Sequence, residues 1–391
     1  MKRFASQYII TNSGPPLKRG VITADDNGII ITVEDTEGNL KEEHSTEFHN
    51  GIIIPGFVNC HCHLELSHLK NNISKGKGLG GFIEQIRGTR ELNKEDISSA
   101  ISLADNLMYK EGVALCADIC NTSDSFNIKK ESKIKYINLL EVFGLDPEKA
   151  ERRFAEIINV AQKAKELDLQ YSLVPHSAYS MSLTLFSLLR NKSLDNKVTS
   201  IHFMESAGEN TFLTSHTGSL LSSYERSGLL PPRMETAANH TDVVLTEITN
   251  SGNLILIHNT FADRDSVRSV KNRENLYWCL CPNSNLYIEN RVPPLNLFLE
   301  EKCDIVIGTD SLASNTQLSI LEELKTLQLA FPDTSIPDLI KWATINGARA
   351  LCEEEQFGSI ETGKKPGLLL LQNVDLINMK FLPGSFVTRL I

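Results

Sequence analysis

The chain has 391 residues, 41% of them hydrophobic, enough for a barrel of roughly 250 to 350 residues beside a small second lobe. Its formal net charge of −10 and its lack of a long basic run argue against a nucleic-acid groove or an anionic membrane as partner and leave small molecules. The N-terminus lacks the apolar core of a signal peptide and no run of about 18 apolar residues occurs, so a soluble cytoplasmic protein is expected.

In chain order, residues 1 to 50 hold short strands such as QYIIT and GIIITVED. Eight short, mostly apolar runs follow: IIIPGFVNCH from Ile52, GVALCADIC from Gly112, KYINLLEVF from Lys135, QYSLVPH from Gln170, TSIHFME from Thr199, NLILIHN from Asn253, LYWCLCP from Leu276 and CDIVIGTD from Cys303. Such runs suit strands buried on both faces. Helical patterns lie between them, as in Glu148 to Glu166, with apolar residues at Phe154, Ile157, Ile158 and Ala161, and in Gln317 to Leu329. The eightfold alternation predicts an α/β fold, a closed (β/α)8 TIM-like barrel, and no GxGxxG follows the first strand to favour an open doubly wound sheet.

The tail from Gly358 returns to turn-separated strands, so both chain ends are expected to form one small β-sandwich of residues 1–50 and 358–391 around a barrel of residues 51–357. Two connections are long, residues 64–95 and 206–250, and in a barrel such loops lie over the catalytic face as candidate lids. Eight cysteines include Cys60 with Cys62 and Cys279 with Cys281. That alternation is neither a disulfide framework nor the CxxC spacing of structural zinc, and a reducing compartment is expected.

The first run ends in PGFVNCHCH. Residues two apart on a strand face the same way, so the imidazoles of His61 and His63 can reach one metal. An HxH alone is as readily polar surface; its weight comes from the other strand ends. The fifth run stops at His202 with Glu205 three residues on, the sixth at His258 and the eighth at Asp310, and strand C-termini are where barrel enzymes build active sites. A Glu in that register favours deamination of an amino-substituted N-heterocycle, because a ring nitrogen must be protonated while hydroxide adds to the adjacent carbon.

These residues, together with HSAYS at His176, HFME at His202, CPNSN at Cys281, GTDSLASN at Gly308, TINGARAL at Thr344 and GSIETGKKPG at Gly358, resemble the amidohydrolase superfamily, and its deaminase and chlorohydrolase branch in particular. The resemblance covers nearly the whole chain, although typical members read HAPYS where this chain has HSAYS. It implies one divalent metal held by His61, His63, His202 and Asp310, since Val174, Pro175 and His176 stand where two-metal relatives carry a bridging lysine. Zinc suits such ligands and iron remains an alternative. Asp310 would accept the proton of the attacking water, Glu205 would shuttle a proton to the ring, and His258 would polarise the attacking oxygen.

By the same resemblance His176 contacts the substrate, and Glu91 stands at the offset from Phe82 of a ribose-binding Glu in the methylthioadenosine/S-adenosylhomocysteine deaminases. HLELSH, after the first two histidines, is most similar to the aminofutalosine deaminases. The expected substrate is therefore an adenine nucleoside-like compound, and a homodimer is an assembly found in the branch. A chlorohydrolase on the same metal site is the alternative, and a non-catalytic scaffold is disfavoured because every ligand position is filled. Roles for His68, Arg87, Arg90, Ser284 and Asn285 stay open.

Overall fold

A computed structural model of the protein describes residues 1–41, 43, 45–89 and 94–391. The run that begins at Ile52 is two strands rather than one. Strand β1 (Lys2–Ile9), β2 (Leu17–Lys18), β3 (Val21–Ala24), β4 (Ile30–Glu34) and β5 (Thr46–Pro55) precede Gly56, and β6 (Phe57–Cys62) follows it. At Gly56 the chain passes so close to its neighbours that a Cβ would stand 2.6 Å from the Pro366 carbonyl and 2.7 Å from Ala114 Cβ. Glycine alone fits where two sheets part at one residue.

The remaining strands are β7 (Val113–Cys120), β8 (Lys135–Val142), β9 (Tyr171–Pro175), β10 (Val198–Phe203), β11 (Asn253–His258), β12 (Leu276–Leu280), β13 (Asp304–Ile307), β14 (Leu368–Asp375) and β15 (Lys380–Arg389). Strands from both chain ends share one sheet in the order β15-β14-β5-β1-β3-β4, with β2 added to β1. Ile9, Ile22, Ile30, Ile53 and Leu370 fill its core.

Strands β6 to β9 and β10 to β13 pair in parallel as two consecutive four-stranded sheets. Two seams join them into a closed ring. At one, the His202 amide donates to the His176 carbonyl at 2.8 Å; at the other, the amides of Thr309 and Asp310 both donate to the His61 carbonyl at 3.0 Å. The second seam needs Gly308, where a Cβ would lie 2.7 Å from His61 Cβ. The eight-stranded barrel expected from the alternation is the fold of the chain. Val58, Leu115, Ile137, Val174, Ile255 and Val306 pack as one of its buried apolar clusters, as strands covered on both faces require.

Two helix boundaries differ from the sequence reading. The helix Ala150–Glu166 follows a short 3-10 turn, Pro147–Lys149, capped by the Asp146 side chain, and buries Ala150, Ile157, Ala161 and Ala164 while Ile158 is 36% exposed. A residue adjacent in sequence sits about 100° round the helix, so Ile158 leaves the face that Ile157 shares with Ala161. The later helix begins at Ile320 rather than Gln317, because the Asn315 side chain accepts from the amides of Thr316 and Gln317 and holds them in a turn. Among the described residues no helix is long and apolar enough to cross a membrane.

Both long connections fold over the C-terminal ends of the strands. The first carries the helix Gly78–Gly88 and the second the helices Ala207–Ser215 and Ser219–Arg226. They clasp each other: Ser223 Oγ donates to the Gly80 carbonyl at 2.7 Å, and Arg226 meets Glu84 at 2.6 Å.

Candidate metal centre and active site

Parallel strands of similar length end at one level, so polar residues placed last on β6, β10 and β11 converge at the barrel mouth. The ligand nitrogens of His61, His63 and His202 lie within 4.8 Å of one another. Asp310 Oδ1 stands 3.6 Å from the Nε2 atoms of both His61 and His63. The His258 ring centroid is 5.5 Å from that of His61 and 5.4 Å from that of His202. All five residues are buried.

This donor set fits a cation. Both ring nitrogens of His61, Nδ1 of His63 and Nε2 of His258 are buried without a hydrogen-bond partner, a condition that native interiors rarely leave uncompensated. Burial and the neighbouring His61 hold His63 well below the ordinary imidazole range, and the same causes bring His202 down to about 3. Neutral imidazoles keep the lone pair that a metal needs. For Asp310, burial acts upward but is outweighed by the neighbouring imidazoles of His61, His63 and His258, so its carboxyl is held well below the usual carboxylate range.

Each of these side chains is oriented from behind. The His202 Nδ1–H donates to the His176 carbonyl at 2.9 Å, which leaves Nε2 to face the cluster. Ser284 and Ser314 donate to Asp310 Oδ2 at 2.6 and 2.5 Å and leave Oδ1 turned to the histidines. Asn59 Oδ1 accepts from the amides of His61 and Thr309, locking β6 to the start of the Asp310 turn. The Leu64 amide, just past His63, donates to Asp118 at 2.7 Å, and Asp118 is neutralised by the fully buried Lys129 at 2.5 Å. Met204, His258, Asn259 and Asp310 take φ between 50° and 74°. Left-handed backbone in non-glycine residues is strained, and here it gathers at the strand ends that carry the site.

Glu205 is buried beside this cluster, with Oε1 3.6 Å from His258 Nε2 and Oε2 accepting from the Tyr179 hydroxyl at 3.4 Å. Burial, reinforced by the negative charges of Glu209 and Asp310, pushes its carboxyl well above the usual range. The Asn285 side-chain amide donates to His258 Nδ1 at 3.0 Å, which places the His258 proton on Nε2. The arrangement therefore offers a base in Asp310, an acid in Glu205 and a neutral hydrogen-bond donor in His258.

His176 stacks on His202 with ring centroids 4.5 Å apart and anchors its Nδ1 to Ser177 and Ser180 at 2.9 and 2.8 Å. Glu91 and Arg90 lie outside the described residues. Arg87 donates to the Ser227 carbonyl, and Glu84 pairs with Arg226 rather than with Arg87. His68 bonds the Glu65 carbonyl and His216 lies on the Thr236 hydroxyl.

A buried carboxylate beside His202 escaped the sequence reading. Glu141 ends β8 with Oε1 3.4 Å from His202 Nδ1, and burial pushes it up to about 8 against the opposing Asn121 hydrogen bond. Its signal was the same as for the others, a charged residue at the last positions of an apolar run, KYINLLEVF.

The Amidohydrolase family matches residues 52–385 of the chain. The adenosine deaminase of Helicobacter pylori is 27% identical over 359 residues, spanning 87% of this chain and 84% of the relative. The crystal structure of Helicobacter pylori aminofutalosine deaminase in complex with methylthio-coformycin is similar in fold, with a TM-score of 0.80 at 24% identity over 98% of this chain and 94% of that one. An adenosine deaminase from Xanthomonas campestris with bound zinc has a TM-score of 0.68 at 19% identity over 94% and 84% of the two chains.

Proposed function

Because the chain belongs to the amidohydrolase family, we propose that it hydrolytically deaminates an adenine nucleoside-like compound and releases ammonia, using one zinc ion held by His61, His63, His202 and Asp310. The observation that carries this reading is the convergence of three buried imidazoles and a carboxylate with Glu205 and His258 on one face of the barrel. The Helicobacter relative named adenosine deaminase supports the substrate class. Three nitrogens and one oxygen are ligands that zinc accepts readily, and the Xanthomonas protein of the same fold holds zinc.

When bound, the metal supplies Lewis acidity that makes water a competent nucleophile near neutral pH. Asp310 Oδ1, left free by the two serines on Oδ2, accepts the proton of the attacking water. Glu205, whose surroundings favour its protonated form, gives a proton to the ring nitrogen beside the attacked carbon. The proton taken by Asp310 then goes to the amino group, which leaves as ammonia, and the proton of the added hydroxyl returns to Glu205 as the carbonyl forms. His258 Nε2–H donates to the attacking oxygen and steadies the charge that develops there. His176, on the metal face, contacts the heterocycle. Buried, unpaired thiols at Cys60, Cys62, Cys116, Cys120, Cys279 and Cys281 suit the reducing cytoplasm, where we place the reaction.

Ammonia release by the zinc-loaded protein across adenosine, 5′-deoxyadenosine, methylthioadenosine, S-adenosylhomocysteine, aminofutalosine, guanosine and a chlorotriazine tests the reading. Turnover of one or more adenine nucleosides is expected. Chloride release from the triazine with no ammonia from any nucleoside overturns it in favour of a chlorohydrolase.

A further inference from the structure

Glu205, the acid of the proposed reaction, lies just past the end of β10 at Phe203, where no strand pairing holds it. Its backbone is nevertheless fixed on both sides. Before it, Met204 takes a φ of 50° and its carbonyl accepts from the Phe261 amide at 2.9 Å, which ties this point to the turn after β11. After it, the Ser206 amide donates to Glu209 Oε1 at 2.6 Å.

A carboxylate in the first turn of a helix that caps a preceding amide is an ordinary device. Glu209, however, is fully buried, where a carboxylate is tolerated only if its oxygens are satisfied. Its second oxygen, Oε2, accepts from His240 Nε2–H at 2.7 Å, across 31 residues of sequence. His240 is buried too, edge-on to Phe203 with ring centroids 5.7 Å apart, and opens the short helix His240–Asp242 that the Asn239 side chain caps. Glu209 and His240 thus join the start and the end of the second long connection at its base, directly behind Glu205.

We propose that Glu209, held by His240, is a positioning residue for Glu205: by fixing the Ser206 amide it sets the direction in which the Glu205 carboxyl leaves the backbone, beside His258 and toward the heterocycle. The assignment rests on the reading of Glu205 as the acid. Glu209 itself carries no proton to or from the substrate. Its negative charge, second to burial in favouring the protonated form of Glu205, works in the same direction.

The test is steady-state kinetics and metal content of the zinc-loaded protein carrying Glu209→Ala or Glu209→Gln, each in the wild type and in the Glu205→Gln background. The substrate is whichever of the five adenine nucleosides named above the wild type turns over fastest, at each protein's optimum pH. Glu209→Ala should lower kcat by about tenfold or more, the scale of a small misplacement of a reacting group, with KM within about threefold and metal stoichiometry unchanged. Glu209→Gln keeps an oxygen for the Ser206 amide and an N–H for the other tautomer of His240, and should recover most of that loss. In the Glu205→Gln background Glu209→Ala should cost less than about twofold, because its effect passes through a group already removed. A purely structural role would cost as much in both backgrounds. Should Glu209→Ala fail to fold, His240→Ala leaves the Ser206 bond and frees the far end of Glu209, and a loss of about threefold or more that vanishes in the Glu205→Gln background is expected. Losses that multiply in the double variant, a glutamine variant as slow as the alanine one, a change confined to KM, or loss of metal each overturns the proposal alone. Turnover of Glu205→Gln at the wild-type rate, or no turnover of any of the five nucleosides by the wild type, overturns the reading of the site and the proposal with it.

Discussion

Two levels of the same barrel strands follow opposite rules. Within the strands, Val58, Leu115, Ile255 and Val306 are buried among apolar neighbours. A few residues further along, at the strand ends, His61, His202, His258, Asp310 and Glu141 are buried just as deeply, yet they are titratable, the protonation equilibria of His202, His258, Asp310 and Glu141 are displaced and part of the backbone is left-handed. The lower level is satisfied by packing alone and holds the upper level in place. The upper level is satisfied only in part by the protein, since ring nitrogens of His61, His63 and His258 are buried there without a hydrogen-bond partner.

The division is tested most severely by removing a ligand. His61→Ala, His63→Ala and His202→Ala should each yield a folded protein with most of its metal lost and activity at background, read by elemental analysis and circular dichroism, because neither water nor the remaining ligands replace an imidazole. Stoichiometric metal in all three would contradict the ligand assignment. Asp310→Asn should keep most of its metal through the three imidazoles and lose kcat by roughly 10³ or more, since the amide cannot take the proton. Normal turnover, or a change confined to KM, would make Asp310 a binding residue instead.

A smaller effect is expected at Glu205. Glu205→Gln preserves shape and metal but carries no proton, and kcat should fall by at least about 10²; activity within a few-fold of wild type removes Glu205 from the mechanism.

The mildest test concerns His176, which burial and the neighbouring His202 hold well below the ordinary imidazole range. Its stabilising contribution is fully present above the unfolded value of about 6.5 and is lost as pH falls below it, because the unfolded chain then binds a proton that the folded chain does not. In metal-free protein at pH 5.5, the wild type should therefore have lost about 1 kcal/mol relative to His176→Asn compared with pH 7.5, measured by denaturant unfolding. The variant comparison is needed because Glu141 and Glu323, both pushed up to about 8, act with the opposite sign. Their stability is present below about 4.5 and is lost as pH rises toward 8. Parallel pH profiles for the two proteins would mean that His176 is not desolvated.

Sequence alone determined the barrel and singled out its candidate site residues, because a strand buried on both faces must be apolar and any charged residue at its end then stands out. His61, His63, His202, Glu205, His258 and Asp310 were each legible in that way, and Glu141 carried the same mark unread. Ser284, Asn285, Ser314 and Asn59 were not legible, since a short polar side chain reads alike whether it meets water or orients a neighbouring group. Only the tertiary structure decided that Ser284 and Ser314 share one oxygen of Asp310 and that Asn285 sets the proton of His258. The break of the first run at Gly56 was likewise invisible, because β5 and β6 are both apolar and only the approach of Pro366 and Ala114 from elsewhere in the chain divides them. Residue type and spacing fix what a strand buries, whereas contacts between residues distant in sequence fix which donor meets which acceptor, and no local pattern encodes those meetings.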